Sequence, residues 1–296
     1  MDKKGILFAV GAYFLWGVLP VFWKQLHAVP AFETMAHRII WSFTLLVVLL
    51  LARRQWGSFR QVLANRSMRR TLALTALLLG FNWGVYIWAV GAGHIVEASL
   101  GYFINPLLSV LMGVVFLRER LRAGQWAAVG LAAVGVVYLS IYYGTPPWIA
   151  LSLAVSFGLY GLLKKQAPVE ALQGMTVEMT AMLLPAIGYL VYLESRGVGL
   201  FGHAEPKLSL LLMGTSVVTI VPIFLFNSAA RLIPLSMMGI LQYINPTGQF
   251  LLGVLVYGEP FTQGQMIGFG IIWTALLLYW FEGFFQRRKA AAPEMA

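Results

Sequence analysis

The stretch Tyr102-Phe103-Ile104-Asn105-Pro106 is echoed 140 residues later by Gln242-Tyr243-Ile244-Asn245-Pro246. Extended without gaps, residues 102–135 and 242–275 agree at ten of 34 positions, among them Gly113-Val114 with Gly253-Val254, Glu119 with Glu259, and Gly124-Gln125 with Gly264-Gln265. Asn-Pro and Gly-Gln pairs kept at one offset point to an internal duplication. A weaker echo at offset 141 sets Gly17, Lys24 and Gln25 against Gly158, Lys165 and Gln166.

Around this repeat the chain is mostly hydrocarbon. Of its 296 residues 59% are hydrophobic and only 11% charged, where a soluble domain carries about 25% charged residues. A water-soluble globule is thereby excluded. The sequence has no Cys, which removes disulfides, thiolate nucleophiles, iron-sulfur clusters and thiolate zinc sites. Runs long enough to cross a bilayer as helix lie near 5–23, 33–51, 71–91, 96–117, 124–142, 147–163, 173–193, 208–228, 233–256 and 263–282. The short connections leave no space for a soluble catalytic or nucleic-acid-binding domain. Met1-Asp2-Lys3-Lys4 precedes an apolar run without a small-residue cleavage site, so the first run is expected to remain as a helix.

The net charge of +10 becomes informative once distributed over these spans. With the N-terminus inside, the inside segments hold seventeen Lys and Arg residues and the outside segments four: Lys24, Arg38, Arg196 and Lys207. Basic residues favour the cytoplasmic side, so both termini are expected there. The charge then records threading, and no nucleic-acid partner is implied. Each copy of the repeat contains five spans, an odd number, which turns the second copy upside down. Arg118, Arg120 and Arg122 align with Gly258, Pro260 and Thr262, so the basic residues are absent from the copy expected outside. The expected architecture is an all-α membrane protein of ten transmembrane helices, arranged as two inverted five-helix repeats. Residues 1–143 and 144–285 form the repeats and 286–296 a cytoplasmic tail. Inverted repeats characterise secondary transporters, in which one half rocks against the other around a site near the midplane.

Several stretches carry a resemblance: Gly11-Ala12-Tyr13-Phe14-Leu15-Trp16-Gly17, Ala36-His37-Arg38, Gly101-Tyr102-Phe103-Ile104-Asn105-Pro106-Leu107, Glu119-Arg120 and Gln242-Tyr243-Ile244-Asn245-Pro246. In these the chain resembles the EamA family of the drug/metabolite transporter superfamily over essentially its whole length. The resemblance implies a multi-pass permease of the bacterial inner membrane with two EamA units around a central cavity, generally an exporter of small metabolites.

Polar residues within the spans are the site candidates. Tyr102, Asn105 and Ser109 share one helical face, as do Gln242, Asn245 and Gln249 in the second copy, with Tyr243 beside them. Each of Pro106 and Pro246 frees a carbonyl one turn earlier. These stripes read equally as a cavity lining for a polar or zwitterionic small molecule and as hydrogen-bonding glue between helices. Asn82, Trp83 and Tyr86 in the third span, Asn227 in the eighth and Trp16 in the first complete the substrate-cavity set; Trp residues at span ends read as interfacial anchors. Intramembrane ionisable groups are costly and mark function. Glu178 is the first candidate for a proton-coupling group and His37 the second, with an Arg38–Glu178 ion pair expected from their relation by the repeat. The alternative for Glu178 is a purely structural ion pair. Glu33 and the His94/Glu97 couple read as solvated span ends, and Glu119-Arg120 with Glu259-Pro260 as loop-shaping. Gly264 and Gly268 offer a face for close helix packing, within a monomer or in a homodimer.

No phosphate-binding loop, zinc motif or catalytic triad is present in the sequence, so no cofactor, metal or catalytic residue is expected. The leading reading is a secondary transporter, not an enzyme, whose partners are a small-molecule substrate and the lipid bilayer. An intramembrane enzyme acting on a lipid-linked substrate through Glu178, His37 and Glu97 is the alternative from another class, and a channel the third.

Overall fold

A chain in hydrocarbon must satisfy its own backbone hydrogen bonds, and a succession of apolar runs does so as helices. The computed structural model describes residues 2–92, 95–144, 148–258 and 262–291. Its regular elements are α1 (Lys3–Val18), α2 (Pro20–Trp23), α3 (Ala31–Ala52), α4 (Trp56–Ala64), α5 (Arg66–Gly91), α6 (Ile95–Leu117), α7 (Ala123–Tyr143), α8 (Trp148–Gln166), α9 (Ala171–Ser195), α10 (Pro206–Leu232), α11 (Leu235–Leu241), α12 (Ile244–Leu251) and α13 (Gln263–Ala291). Among the described residues nine helices are long and apolar enough to cross a membrane, the first running from Lys3 through α2 to Leu26. They coincide with nine of the ten apolar runs.

The run at 233–256, expected as one continuous span, is instead α11, α12 and a wide π-type turn over Leu252–Val256. The break falls at Gln242-Tyr243, one turn before Pro246. Lacking an N–H, Pro246 cannot close the helical bond to the Gln242 carbonyl. That carbonyl accepts instead from the Asn245 N–H at 3.0 Å, a tighter turn. Pro106, at the equivalent position, lies inside the unbroken α6.

The helix ends follow from their residues. The Asp2 side chain accepts from the N–H groups of Lys4 and Gly5 at 2.8 and 3.3 Å, satisfying two orphan donors of α1. Gly144, at φ 66°, ends α7 in the left-handed region that glycine tolerates. Arg118 and Gly258, related at offset 140, are both left-handed, at φ 55° and 64°.

In lipid, helix association depends on close fit, because the tails are as apolar as the side chains. Glycines supply that fit. A Cβ on Gly264 would land on the Tyr142 ring and one on Gly268 on Leu139, joining α13 to α7. On the same pair of helices Gly124 faces Glu282, which also forms an ion pair with Arg122 at 2.8 Å. The glycine face is thus used within the chain. Gly17 and Gly248 bring α1 and α12 together, a Cβ on either meeting the other's backbone at 3.1–3.3 Å. Helix α1 also packs on α10, α8 packs on α5 and α6, α6 packs on α11, and α5 and α10 flank α9 and α3 respectively. Helices α3 and α9 run antiparallel: Glu33 near the start of α3 accepts from the Leu200 N–H beyond the end of α9, while Gln55 beyond α3 meets Gln173 near the start of α9. One buried cluster, including Tyr13, Leu46, Leu72 and Met175, fills the space between α1, α3, α5, α8, α9 and α10. A second, including Phe103, Leu139, Tyr243 and Ile272, lies between α6, α7 and α13. Large apolar side chains such as Leu77, Ile141, Leu184 and Leu255 point outward, at least 70% exposed, as a lipid-facing surface requires.

Candidate functional site

Two polar constellations stand apart from the hydrocarbon. The first centres on Arg38, the eighth residue of α3. Its Nε–H donates to Thr219 Oγ1 of α10 at 2.6 Å. The guanidinium carbon lies 3.8 Å from the centre of the Trp83 ring and 5.4 Å from that of Trp23, a cation–π arrangement. Tyr86 and Tyr102 complete the surroundings: their rings meet edge-on at 6.0 Å and both phenols lie close to Arg38. Among the described residues no carboxylate forms an ion pair with Arg38. The sequence therefore brings together Arg38, Trp83, Tyr86 and Tyr102 from three helices, and the structure adds Trp23 and Thr219. Threonine in an apolar helix carries no pattern that would have singled out Thr219, and Trp23 reads from sequence as an interfacial anchor.

The second constellation surrounds Glu178, also the eighth residue of its helix. Its carboxylate is fully buried and 3.0 Å from the Lys164 ammonium. Thr75 Oγ1 donates to it at 2.6 Å and the Tyr160 hydroxyl lies at 3.5 Å. Tyr160 also donates to Asn227 Oδ1 at 3.2 Å, while Asn227 Nδ2 is buried without a partner. Gly174 makes room for the lysine: a Cβ there would sit 2.9 Å from Lys164 Nζ.

The expected Arg38–Glu178 pair does not form, and the antiparallel packing of α3 and α9 explains why. Two residues equally far from the starts of antiparallel helices lie towards opposite ends of the pair. At 1.5 Å rise per residue, positions seven steps in along helices of this length are separated by roughly 10 Å along the axis. Lys164 was concealed in a Lys164-Lys165 doublet that reads as two solvated loop charges. The ammonium of Lys165 is equally engaged, donating to the Ala230 and Ile233 carbonyls at 3.0 and 2.6 Å and capping the end of α10.

Most other candidates are already engaged, some between helices and some within their own. The Asn82 amide donates to the Leu153 carbonyl at 2.8 Å and Ser156 Oγ at 2.9 Å, tying α5 to α8 and leaving no free amide proton. Tyr243 is fully buried with its hydroxyl on the Phe103 carbonyl at 3.3 Å. Ser109 donates to Asn105 at 3.4 Å, and Gln249 to Asn245 at 2.8 Å, each within its own helix. Gln242 is buried at the break between α11 and α12. Trp16 packs among Tyr13, Phe157 and Phe226 at 5.7–5.9 Å. His37 is buried with its ring 4.8 Å from Phe201. Glu33, expected as a solvated end, is buried and holds the loop at Leu200. Glu119 accepts from the N–H groups of both Leu235 and Ser236, at 2.7 and 2.9 Å, so its loop-shaping task is to hold the start of α11. The side chains of His94, Glu97, Glu259 and Pro260 lie outside the described residues. A cavity of about 210 Å³ opens between Arg53, Glu170, Phe224 and Arg231.

A bundle of helices long and apolar enough to cross a membrane, with polar centres buried between them, has the form of a multi-pass membrane protein. The chain belongs to the EamA-like transporter family, whose model matches residues 3–141 and again 146–281. It is 43% identical to a protein from Streptomyces exfoliatus named Protein RarD, over 98% of this chain and 92% of that one. It is 46% identical to an uncharacterized transporter of Vibrio cholerae, over 95% and 93% of the two chains. The uncharacterized transporter YojE of Bacillus subtilis is 44% identical, over 95% of this chain and 94% of its own length. A solved crystal structure shares the fold at a TM-score of 0.69 with 20% sequence identity, covering 94% of this chain and 98% of that one. The protein is a transporter of the EamA family, and the relatives from Vibrio cholerae and Bacillus subtilis are themselves named as transporters.

Proposed function

We propose that the chain is a secondary transporter exporting a small organic metabolite or drug-like molecule across the bacterial inner membrane, by alternating access between two inverted five-helix units. Residues 1–143 and 144–285 are the units, 286–296 the cytoplasmic tail, and both termini are cytoplasmic. The broken segment from α11 to the π-type turn counts as the tenth span. The observation that supports this reading is that the most extensive helix pairs map onto one another when the halves are exchanged, although α6 with α7 and α8 with α10 have no counterpart of like extent. The pair α8 with α6 becomes α1 with α12, α1 with α10 becomes α8 with α5, and α10 with α3 becomes α5 with α9, while α3–α9, α7–α13 and α6–α11 map onto themselves. Single contacts follow the same rule. Gly124 against Glu282 becomes Gly264 against Tyr142, and Gly17 against Gly248 becomes Gly158 against Leu108. An approximate two-fold relation of this kind lets the two halves exchange roles, as presenting one site to either side requires.

Proton coupling is assigned to Glu178, because it is a buried carboxylate with a cationic partner and two hydroxyl donors, a set that changes partners when the proton count changes. Reporter fusions after residues 60, 145 and 289 test the threading; inside, outside, inside is expected, and any other order refutes inversion. Protein reconstituted in liposomes, screened with amino acids, nucleobases and amphipathic drugs with and without a pH gradient, tests transport and coupling. Glu178→Gln should abolish the response to the gradient; unchanged pH dependence returns the residue to a structural ion pair.

A further inference from the structure

The Arg38 centre has an imbalance that the transporter reading does not use. A guanidinium has five N–H donors in a planar fork. Here Nε–H is taken by Thr219 and one face is covered by Trp83 at 3.8 Å. No acceptor among the described residues meets the two terminal NH₂ groups. Arg38 forms no ion pair with the Glu178 carboxylate, which is already paired with Lys164. A positive charge inside a membrane bundle is costly and is ordinarily neutralised by a partner. Arginine, rather than lysine, suits a planar two-oxygen acceptor received through two parallel bonds. The aromatic faces of Trp83 and Trp23 stabilise the cation without neutralising it, and Tyr86, 38% exposed, and Tyr102 bring hydroxyls to the same place.

We propose that Arg38 is the anchor of the transported molecule and that the substrate is a small organic carboxylate, whose two oxygens take the free edge of the guanidinium while Tyr86 and Tyr102 border them. The missing counter-charge arrives with the cargo. Fixing Nε through Thr219 and the plane through Trp83 holds the fork in one orientation, which a flexible ammonium could not do. This inference rests on the transporter reading for the word substrate, although the binding it describes can be measured without transport.

The test uses the purified full chain and three matched probes: phenylacetate, its neutral amide phenylacetamide, and the cation phenethylamine, with sodium chloride as a simple-anion control. Thermal stabilisation in detergent gives binding, and flux of the same compounds in liposomes gives transport. Wild type is expected to prefer phenylacetate over phenylacetamide by at least about tenfold in apparent affinity, the scale of one charge-assisted contact. Arg38→Gln should bring the two to equal affinity, and Arg38→Lys should keep the preference for the anion with weaker binding. Thr219→Val, which leaves the charge in place but frees the fork, should lower affinity for phenylacetate alone and covers the case in which Arg38→Gln does not fold. Arg60→Gln, on an exposed residue, serves as the control and should match wild type. A preference for the amide or the amine, equal stabilisation by chloride, no stabilisation by phenylacetate in wild type, or an undiminished preference in Arg38→Gln overturns the inference. Arg38-dependent binding without flux of any compound leaves the inference standing and refutes transport. Flux of neutral compounds untouched by Arg38→Gln does the reverse.

Discussion

Replacing Lys164 by Met keeps much of the side-chain volume and deletes only the charge beside Glu178. In the wild type the two groups are 3.0 Å apart, with side chains 5% and 0% exposed, so water cannot screen the carboxylate that remains. The Thr75 and Tyr160 hydroxyls stay as neutral donors. Breaking one side of a buried ion pair costs about 3–5 kcal/mol. Lys164→Met should therefore be strongly destabilised. Adding Glu178→Gln to it should restore most of the loss, since a neutral amide can use the same hydroxyls. Equilibrium unfolding in mixed micelles, run as a double-mutant cycle, measures each quantity. A loss under about 1 kcal/mol, or simple additivity in the double variant, would refute the claim that this pair is a desolvated charge couple.

Gly264→Leu and Gly268→Leu should lower the melting temperature, because added side-chain atoms meet the Tyr142 ring and Leu139, whereas Gly270→Ala, into open space, should be neutral or raise stability by up to about 1 kcal/mol through helix propensity; thermal scans in one detergent compare all three. Asn82→Ala removes two bonds to α8 and should cost about 1–2 kcal/mol with unchanged apparent affinity for whichever compound the liposome screen identifies; a changed affinity with intact stability would make Asn82 part of the cavity. Glu119→Gln keeps the shape of the side chain but loses two charge-assisted bonds to the start of α11, for an expected loss of about 1–3 kcal/mol, read by hydrogen exchange at Leu235 and Ser236.

The helices were legible because each apolar run is long and each break is sharp; the exception followed from a local detail, the missing N–H of Pro246. Pro106 occupies the same place in the duplicate and leaves α6 intact, so sequence alone had no ground for treating the copies differently. The polar sites were legible as a set of residue types and obscure as partnerships. Glu178 was visible as a carboxylate in hydrocarbon, but its partner lay hidden in a Lys-Lys pair at a helix end, where lysine normally reaches water. Arg38 is visible too, but relation by the repeat is not proximity, and in the structure Glu178 pairs with Lys164 instead. Asn82 and Tyr243 share their residue types with cavity linings, and only the position of Leu153, Ser156 and Phe103 reveals that their polar atoms are already engaged.

The pairing of α7 with α13 sets a schedule for assembly. Tyr142 and Leu139 wait for Gly264 and Gly268, yet about 120 residues separate the end of α7 from the start of α13. At a synthesis rate of roughly 5–20 residues per second, α7 spends about 6–24 s in the bilayer before its main partner exists. During that interval its unpaired side, Tyr142 and Leu139 included, is available to any neighbouring helix, so the last span to be made decides whether the earlier one ends in this molecule or in a misassembled pair.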